Sequence, residues 1–193
     1  MSSSERESWN RRYREGSHSS RSADEFLLRT YDEYIQPLFP QGSTALDLAG
    51  GIGRHSIWLA ERGWRVTLVD ISEVAINEAR HTARKRSVEI ESVVADTADY
   101  KFGRARFDLI LVFFYLERAL FPKIARALRP RGVLVYKTYT HEHRKFGRGP
   151  SHPMYFLKDN ELLHAFRKFR VLSYRETVGD RGIAELVAQK PKY

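Results

Sequence analysis

Between residues 44 and 139 short apolar runs alternate with stretches of helical periodicity, and this alternation constrains the fold more than any other property of the chain. Thr44–Leu48, Arg65–Val69, Val88–Ala95, the nearly unbroken apolar run Phe107–Phe113 and Val133–Tyr139 read as strands, the last two of the kind buried on both faces of a parallel sheet. Arg54–Arg62, closed by Gly63, reads as a helix, as do the stretch from a Ser72 N-cap to about Arg84 and a segment through Ile124, Ala125 and Leu128 that stops at Arg129-Pro130-Arg131-Gly132. Strands separated by helices pair in parallel through right-handed crossovers, so an α/β sheet is predicted. Arg170–Tyr174 and Ile183–Gln189, joined by Val178-Gly179-Asp180-Arg181-Gly182, form an antiparallel hairpin at its edge.

Length and composition set the outer limits. With 193 residues, 42% of them hydrophobic, the chain can bury one ordinary core, and one domain is expected, with residues 1–40 as N-terminal lid helices and 41–193 as the core. The absence of cysteine excludes disulfides, thiolate metal sites and cysteine nucleophiles. No run is long enough to span a bilayer and none marks a secretory leader, so a cytoplasmic chain without membrane attachment is expected. The net charge of +9 is concentrated: residues 101–150 hold twelve Lys and Arg against three Asp and Glu. That block, with Arg126, Arg129, Arg131, Arg144, Lys145 and Arg148, reads first as a solvated basic face and second as an attraction for an anionic substrate or a nucleic-acid backbone.

Upstream, residues 1–8 and the Ser-rich Gly16–Ser22, with His18, are expected to be mobile without ligand. Trp9 and Tyr13 share a helical face, and residues 24–36 form a second helix that Pro37 and Pro40 stop.

The chemistry is concentrated where the first strand ends. Ala49, Gly50, Gly51 and Gly53 leave no bulky side chain where the backbone turns against a ligand, and Asp70 follows at the end of the second strand. A dinucleotide fingerprint places another glycine after two intervening residues beyond its second, whereas Arg54-His55-Ser56 follow Gly53 here. Asp47 beside the turn suits a cationic ligand better than a pyrophosphate.

In this motif order the chain resembles the class I S-adenosylmethionine-dependent methyltransferases, particularly the small TehB-like and thiopurine-methyltransferase-like members. Asp47-Leu48-Ala49-Gly50-Gly51-Ile52-Gly53 is similar to their acidic glycine-rich signature, with Ala49 in place of the first glycine. Leu128-Arg129-Pro130-Arg131-Gly132 is similar to their turn before strand five, and Trp9-x-x-Arg12-Tyr13 to their N-terminal lid. The resemblance implies a Rossmann-like, doubly wound seven-stranded sheet, mostly parallel, in the order 3-2-1-4-5-7-6. It further implies that S-adenosyl-L-methionine is the cofactor, with Asp70 on the ribose hydroxyls and Asp96 of Ala95-Asp96-Thr97 on the adenine amino group. The cofactor set to be tested is Trp9, Tyr13, Asp47, Ala49, Gly50, Gly51, Gly53, Arg54, Asp70, Ile71, Asp96, Thr97 and Phe113.

Methyl transfer is an in-line displacement in which positioning carries most of the acceleration, so no particular catalytic side chain is obligatory. Tyr115, Glu117 and Arg118 after strand four and His141 and His143 after strand five lie where acceptors bind in such sheets, and Tyr115, Arg118 and His141 are the catalytic candidates. His141-x-His143 lacks an evident third ligand, so no metal is expected. Trp58 and Trp64 read as packing residues. Phe113-Phe114-Tyr115-Leu116 is unlike the Asn-Pro-Pro-Tyr loop of enzymes that methylate DNA amino groups, and the missing cysteine disfavours arsenite-type chemistry. The expected acceptor is a small molecule, anionic or soft, a chalcogen anion among the options, acted on by a monomer or homodimer. A nicotinamide-dependent oxidoreductase and a basic RNA-associating module are the competing readings.

Overall fold

The computed structural model describes residues 3–17, 20–147, 149, 150 and 152–192; His18 of the Ser-rich stretch and Arg148 of the basic run lie outside them. Seven strands, β1 (Thr44–Leu48), β2 (Arg65–Asp70), β3 (Glu91–Val94), β4 (Phe107–Phe113), β5 (Leu128–Tyr139), β6 (Arg170–Val178) and β7 (Gly182–Gln189), lie in the sheet order β3-β2-β1-β4-β5-β7-β6. This is the predicted order. The chain divides into two compact units, residues 1–101 and 102–193, so the described residues among the first 40 belong with β1–β3.

In the first unit β1 pairs in parallel with β2, Thr44 opposite Arg65 and Leu48 opposite Val69, and β2 pairs in parallel with β3. Helices α3 (Arg54–Ala60) and α4 (Glu73–Lys85) follow β1 and β2. Four buried positions on α4, Ala75, Ile76, Ala79 and Ala83, recur at helical spacing, and Ile76 and Ala79 pack on Leu68 of β2 with Ile90 and Val94 alongside. The expected Ser72 N-cap forms: its hydroxyl accepts from the Ala75 amide at 3.2 Å. Strand three begins later than its apolar run suggests. Ser87 adopts a left-handed conformation and the Val88 amide donates to the Ala83 carbonyl at 3.1 Å, closing α4 and removing Val88 from any strand.

The N-terminal segment departs from its expected mobility. Ser3–Arg14 forms helix α1, with Glu5 in its first turn and Arg11, Arg12 and Arg14 in its last, the charge arrangement a helix dipole favours. The buried Asn10 side chain accepts from the Ser72 hydroxyl at 2.8 Å and the Val74 amide at 3.4 Å, adding a second cap to α4 and fixing α1 on it. Arg21 donates to Glu78 at 2.6 Å and Thr82 at 3.1 Å, so Arg21 too is held on α4. Asp24 caps helix α2 (Glu25–Thr30), accepting from the Phe26 amide at 2.9 Å, and the helix widens into one π turn over Tyr31–Ile35 before Pro37. Tyr31 meets Trp58 edge-on at 4.9 Å and accepts from the indole of Trp64, so both tryptophans pack as expected.

The second unit is built on β4, wholly buried, and on β5, which pairs in parallel with β4 and antiparallel with β7. The expected turn at Arg129–Gly132 is drawn into β5, which starts at Leu128; the register with β4 slips between Phe107 and Leu109, and Arg131 absorbs the irregularity in a left-handed conformation. β6 and β7 form the predicted edge hairpin. Helix α5 (Phe121–Ala127) and helix α6 (Glu161–Ala165) complete the unit, with Phe121, Tyr136 and Phe166 packed ring on ring.

Candidate functional site

The turn after β1 needs conformations that side chains resist. Ala49, Gly51 and Gly53 all have φ between 55° and 72°. The alanine at the family's first glycine position therefore sits in a left-handed conformation, costing about 1 kcal/mol that a glycine avoids. Gly50 is required by contact instead, because a Cβ there would lie 2.5 Å from Leu68 Cδ1 and 2.6 Å from the Asp47 carboxylate. At Gly51 a Cβ would strike the Tyr13 hydroxyl. The backbone of this turn is thus pressed between β2, the Asp47 side chain and α1.

Two carboxylates flank it. Asp47, fully buried, accepts from the Ser56 hydroxyl on its Oδ2 at 2.7 Å, while its Oδ1 is buried with no hydrogen-bond partner. Burial pushes its carboxyl up to about 6; the Ser56 hydroxyl and the Arg54 charge work against that rise, and the Asp70 charge adds to it. Asp70 accepts from the Ser72 amide on Oδ1 and the Gly51 amide on Oδ2, each at 2.8 Å. Burial holds its carboxyl above the ordinary range in spite of these backbone donors. The Ile71 amide also acts on this carboxylate, and a carboxylate with about four acceptor positions keeps room for a further donor.

Tyr13 of α1 lies over Gly51. Burial raises its phenol well above its ordinary range, and the charges of Asp70 and Asp47 raise it further, so the hydroxyl remains a neutral donor beside two anions. Trp9 stands 6.1 Å from the Tyr13 ring with the Arg12 guanidinium 4.8 Å over its own face. Arg54, at the first position of α3, turns toward the N-terminal segment, 3.8 Å from Asp24 and 3.4 Å from the Ser22 carbonyl. Asp96 lies one strand on: the Ala95 amide donates to the Asp70 carbonyl at 2.9 Å, and Asp96 accepts from the Ala98 amide at 2.8 Å. Thr97 is buried beside it and Ile71 is half-buried beyond Asp70. The first unit therefore brings together Tyr13, Asp47, Gly50, Gly51 and Asp70, with Asp96 on the adjoining strand end.

In the second unit Phe113 closes β4 and is buried. Phe114 follows with φ 55°, its amide donating to the Lys137 carbonyl at 2.7 Å and its ring 5.1 Å from that of Tyr139. The Tyr115 carbonyl accepts from the buried Tyr136 hydroxyl at 2.9 Å. Glu117 accepts from the Ala119 amide at 3.2 Å, capping the short turn that leads into α5.

Arg118 is placed as a brace. Four of its five N–H donors are engaged: two by Glu161 at 2.6 and 2.9 Å, one by the Met154 carbonyl at 2.7 Å and one by the Phe156 carbonyl at 2.9 Å. It ties the segment before α6 to the end of β4. His141 is exposed, with its ring nitrogens 3.1 Å from Glu142 and 3.4 Å from Asp159. His143 turns inward, stacked on Tyr139 at 4.1 Å and accepting from the Gly182 amide, so the two histidines point to different environments. Among the described residues no group of three His, Cys, Asp or Glu is arranged to hold a metal, and no helix is long and apolar enough to cross a membrane.

Sequence reasoning missed Asn10, Ser56 and the Arg118 brace. Ser56 had the only local signal, a hydroxyl in the first turn of the helix that follows the glycines.

A buried acid with one open oxygen, a second buried acid at the end of β2 and a glycine-rich turn at the ends of parallel strands are features of an α/β protein suited to a nucleoside ligand with a cationic group. Residues 45–132 match the family model described as "Methyltransferase domain". The tRNA 5-carboxymethoxyuridine methyltransferase of Escherichia coli (strain K12) is 32% identical over 123 residues, covering 58% of this chain and 46% of that protein. The chain thus spans about half the length of that relative. Among solved structures, TehB from Haemophilus influenzae superposes with a TM-score of 0.74 at 18% identity, over 93% of this chain and 66% of that one. The Burkholderia thailandensis 1,6-didemethyltoxoflavin-N1-methyltransferase, solved with 1,6-didemethyltoxoflavin and S-adenosylhomocysteine, gives 0.71 at 20% identity over 96% and 87%. Residues 45–132 thus match a methyltransferase domain, and the seven-stranded sheet has the fold of TehB and of S-adenosylmethionine-dependent methyltransferases.

Proposed function

We propose that the chain transfers the methyl group of S-adenosylmethionine to a small, anionic or soft acceptor, with thiolates and chalcogen anions the first candidates, and that it works in the cytoplasm. The observation that carries the reading is the Asp47 Oδ1, a buried acceptor without a donor in a carboxylate whose other oxygen is satisfied by Ser56. Burying such an acceptor alone is costly, and an ammonium group entering the site removes that cost. When bound, S-adenosylmethionine would supply a methyl carbon activated by its sulfonium, open to in-line attack by the acceptor's electron pair with the neutral thioether of S-adenosylhomocysteine as the leaving group.

The chain's own residues bind and orient. Asp47 takes the cationic end, Asp70 takes the ribose hydroxyls with the acceptor capacity left by the Gly51, Ile71 and Ser72 amides, and Tyr13 covers the turn and excludes water. In the second unit Phe114, held in a strained conformation by its bond to β5, offers a half-buried aromatic surface to the acceptor. Arg118 acts as a positioning residue for the segment that precedes α6. His141 is exposed, with Glu142 and Asp159 beside its ring nitrogens. A soft anion needs no general base.

Calorimetric titration with S-adenosylhomocysteine and with NADH tests the reading: binding of the first and silence toward the second is expected, and the reverse overturns it. A methyl-transfer screen with labelled cofactor over thiols, chalcogen oxyanions, halides, phenols and tRNA then assigns the acceptor. RNA is the second reading, favoured by the likeness to a tRNA methyltransferase and by the basic block at residues 101–150.

A further inference from the structure

The excess positive charge of the chain gathers at one edge of the second unit, where β4 and β5 begin and β7 ends. The Ala105 amide donates to the Arg126 carbonyl at 3.0 Å and the Arg106 amide to the Ala127 carbonyl at 2.7 Å, which sets Arg104 and Arg106 against the end of α5. The Arg131 amide donates to the Lys190 carbonyl at 3.0 Å, which sets Arg131 against the end of β7. Arg104, Arg106, Arg126 and Arg131 are all exposed. Among the described residues no carboxylate pairs with Arg104, Arg126 or Arg131; the carboxylate that opens this edge, Asp108, is taken by Arg129 at 2.6 Å.

The crowding is built into the backbone. Arg131 holds φ 65° and Ala105 φ 47°, conformations a glycine would adopt without strain. Lys190 donates its ammonium to the Ala125 and Leu128 carbonyls at 2.8 and 2.7 Å, and burial followed by the Arg104 charge lowers its ordinary value. A fold that packs like charges together without a compensating acid destabilises itself unless an anion arrives.

We infer that this edge is a docking surface for the sugar–phosphate backbone of a nucleic acid, RNA in the first instance. The chemistry favours phosphate over other anions. Guanidinium groups match phosphate oxygens in geometry, and this edge consists mainly of arginines. Of the exposed large apolar residues of the second unit, Met154, Tyr155 and Val178 lie outside it and Val171, opposite Ala188 at the end of β7, stands on it singly, so it lacks the contiguous apolar centre of a protein interface and the several inserting side chains of a membrane-binding surface. Contacts of this kind position a polyanion without reading its sequence. The surface is independent of methyl transfer, because docking is measured without cofactor.

Fluorescence anisotropy with labelled unfractionated tRNA, over 50 to 300 mM KCl, provides the test. Each phosphate contact contributes about 0.7–0.9 to the slope of log affinity against log salt, so the combined variant Arg104→Gln, Arg126→Gln and Arg131→Gln flattens the slope by about 2–3. A control of equal charge change at the exposed Lys145, Lys158 and Arg181, which lie beyond the end of β5 or in the turn between β6 and β7, all to Gln, leaves most of the slope in place. A duplex DNA of similar length, run in parallel, distinguishes RNA from nucleic acid in general. Equal losses from both triple variants, an unchanged slope in the first, or competition by polyglutamate as effective per charge as by tRNA overturns the inference. S-adenosylhomocysteine binding by the first variant reports that it is folded, and failure of the docking leaves the methyl-transfer reading intact.

Discussion

Asp47 makes cofactor affinity depend on pH in a direction that can be worked out beforehand. In the free protein its carboxyl is pushed up to about 6 by burial, so at pH 5 about one molecule in ten carries it ionised, and at pH 7 about nine in ten. A cationic ligand on the open Oδ1 requires the ionised form. Affinity for S-adenosylhomocysteine therefore falls about tenfold from pH 7 to pH 5, with close to one proton released on binding at the lower pH and close to none at the higher. For the unliganded fold the sign is opposite. The folded value lies above the unfolded 3.8, so the folded state holds the extra proton, and the favourable contribution present below pH 4 is lost as pH rises through 6, at most about 3 kcal/mol. Arg54, Asp70, Ser56 and the protonated Tyr13 phenol face the same carboxylate, and Asp70 is itself raised by burial, so the substitution Asp47→Asn is needed to assign the effect. Calorimetry at both pH values in two buffers of different ionisation enthalpy measures affinity and proton release together. Equal affinities at pH 5 and 7, or a dependence that survives Asp47→Asn, refutes the assignment of a cation to Asp47.

Three further outcomes follow from the same geometry. Gly51→Ala, forced into φ 58° and against the Tyr13 hydroxyl, should lose about 1–3 kcal/mol in denaturant unfolding, and Tyr13→Ala in that background should recover part of the loss, because only the collision is relieved. Asn10→Ala removes the cap that α1 lends to α4; about 1 kcal/mol of stability should go, and stopped-flow release of S-adenosylhomocysteine should become faster. Arg118→Gln frees two carbonyls and Glu161 at a half-exposed site, so a loss of about 1–2 kcal/mol is expected, with a raised KM for the acceptor and an unchanged Kd for S-adenosylhomocysteine; a changed Kd with unchanged KM would remove Arg118 from the acceptor side.

What could be read from the chain was written within a few residues. Strand and helix positions followed from periodicity, Ser72 from the chemistry of a cap, and the turn at Ala49–Gly53 from the need for small residues where the backbone reverses. What could not be read lies in pairs far apart along the chain: Asn10 with Ser72 across 62 positions, Arg21 with Glu78 across 57 and Arg118 with Glu161 across 43. None of these pairs leaves a periodic trace, which is why residues 3–8, polar and expected to be mobile, gave no sign of belonging to the helix that Asn10 fixes on α4. The same reason hid the extension of β5, where Pro130 and Gly132 signal a turn but the pairing of Leu128 with Phe107 draws them into the ladder at the cost of a left-handed Arg131. Asp47 stands between the two cases. Its place beside the glycines was legible; its half-satisfied state was not, because that depends on Ser56 reaching one oxygen from the first turn of α3 while nothing reaches the other. The open oxygen is a property of the folded chain alone, and it turns a family signature into a statement about charge: the ligand must bring a donor, and a positive one satisfies the carboxylate best.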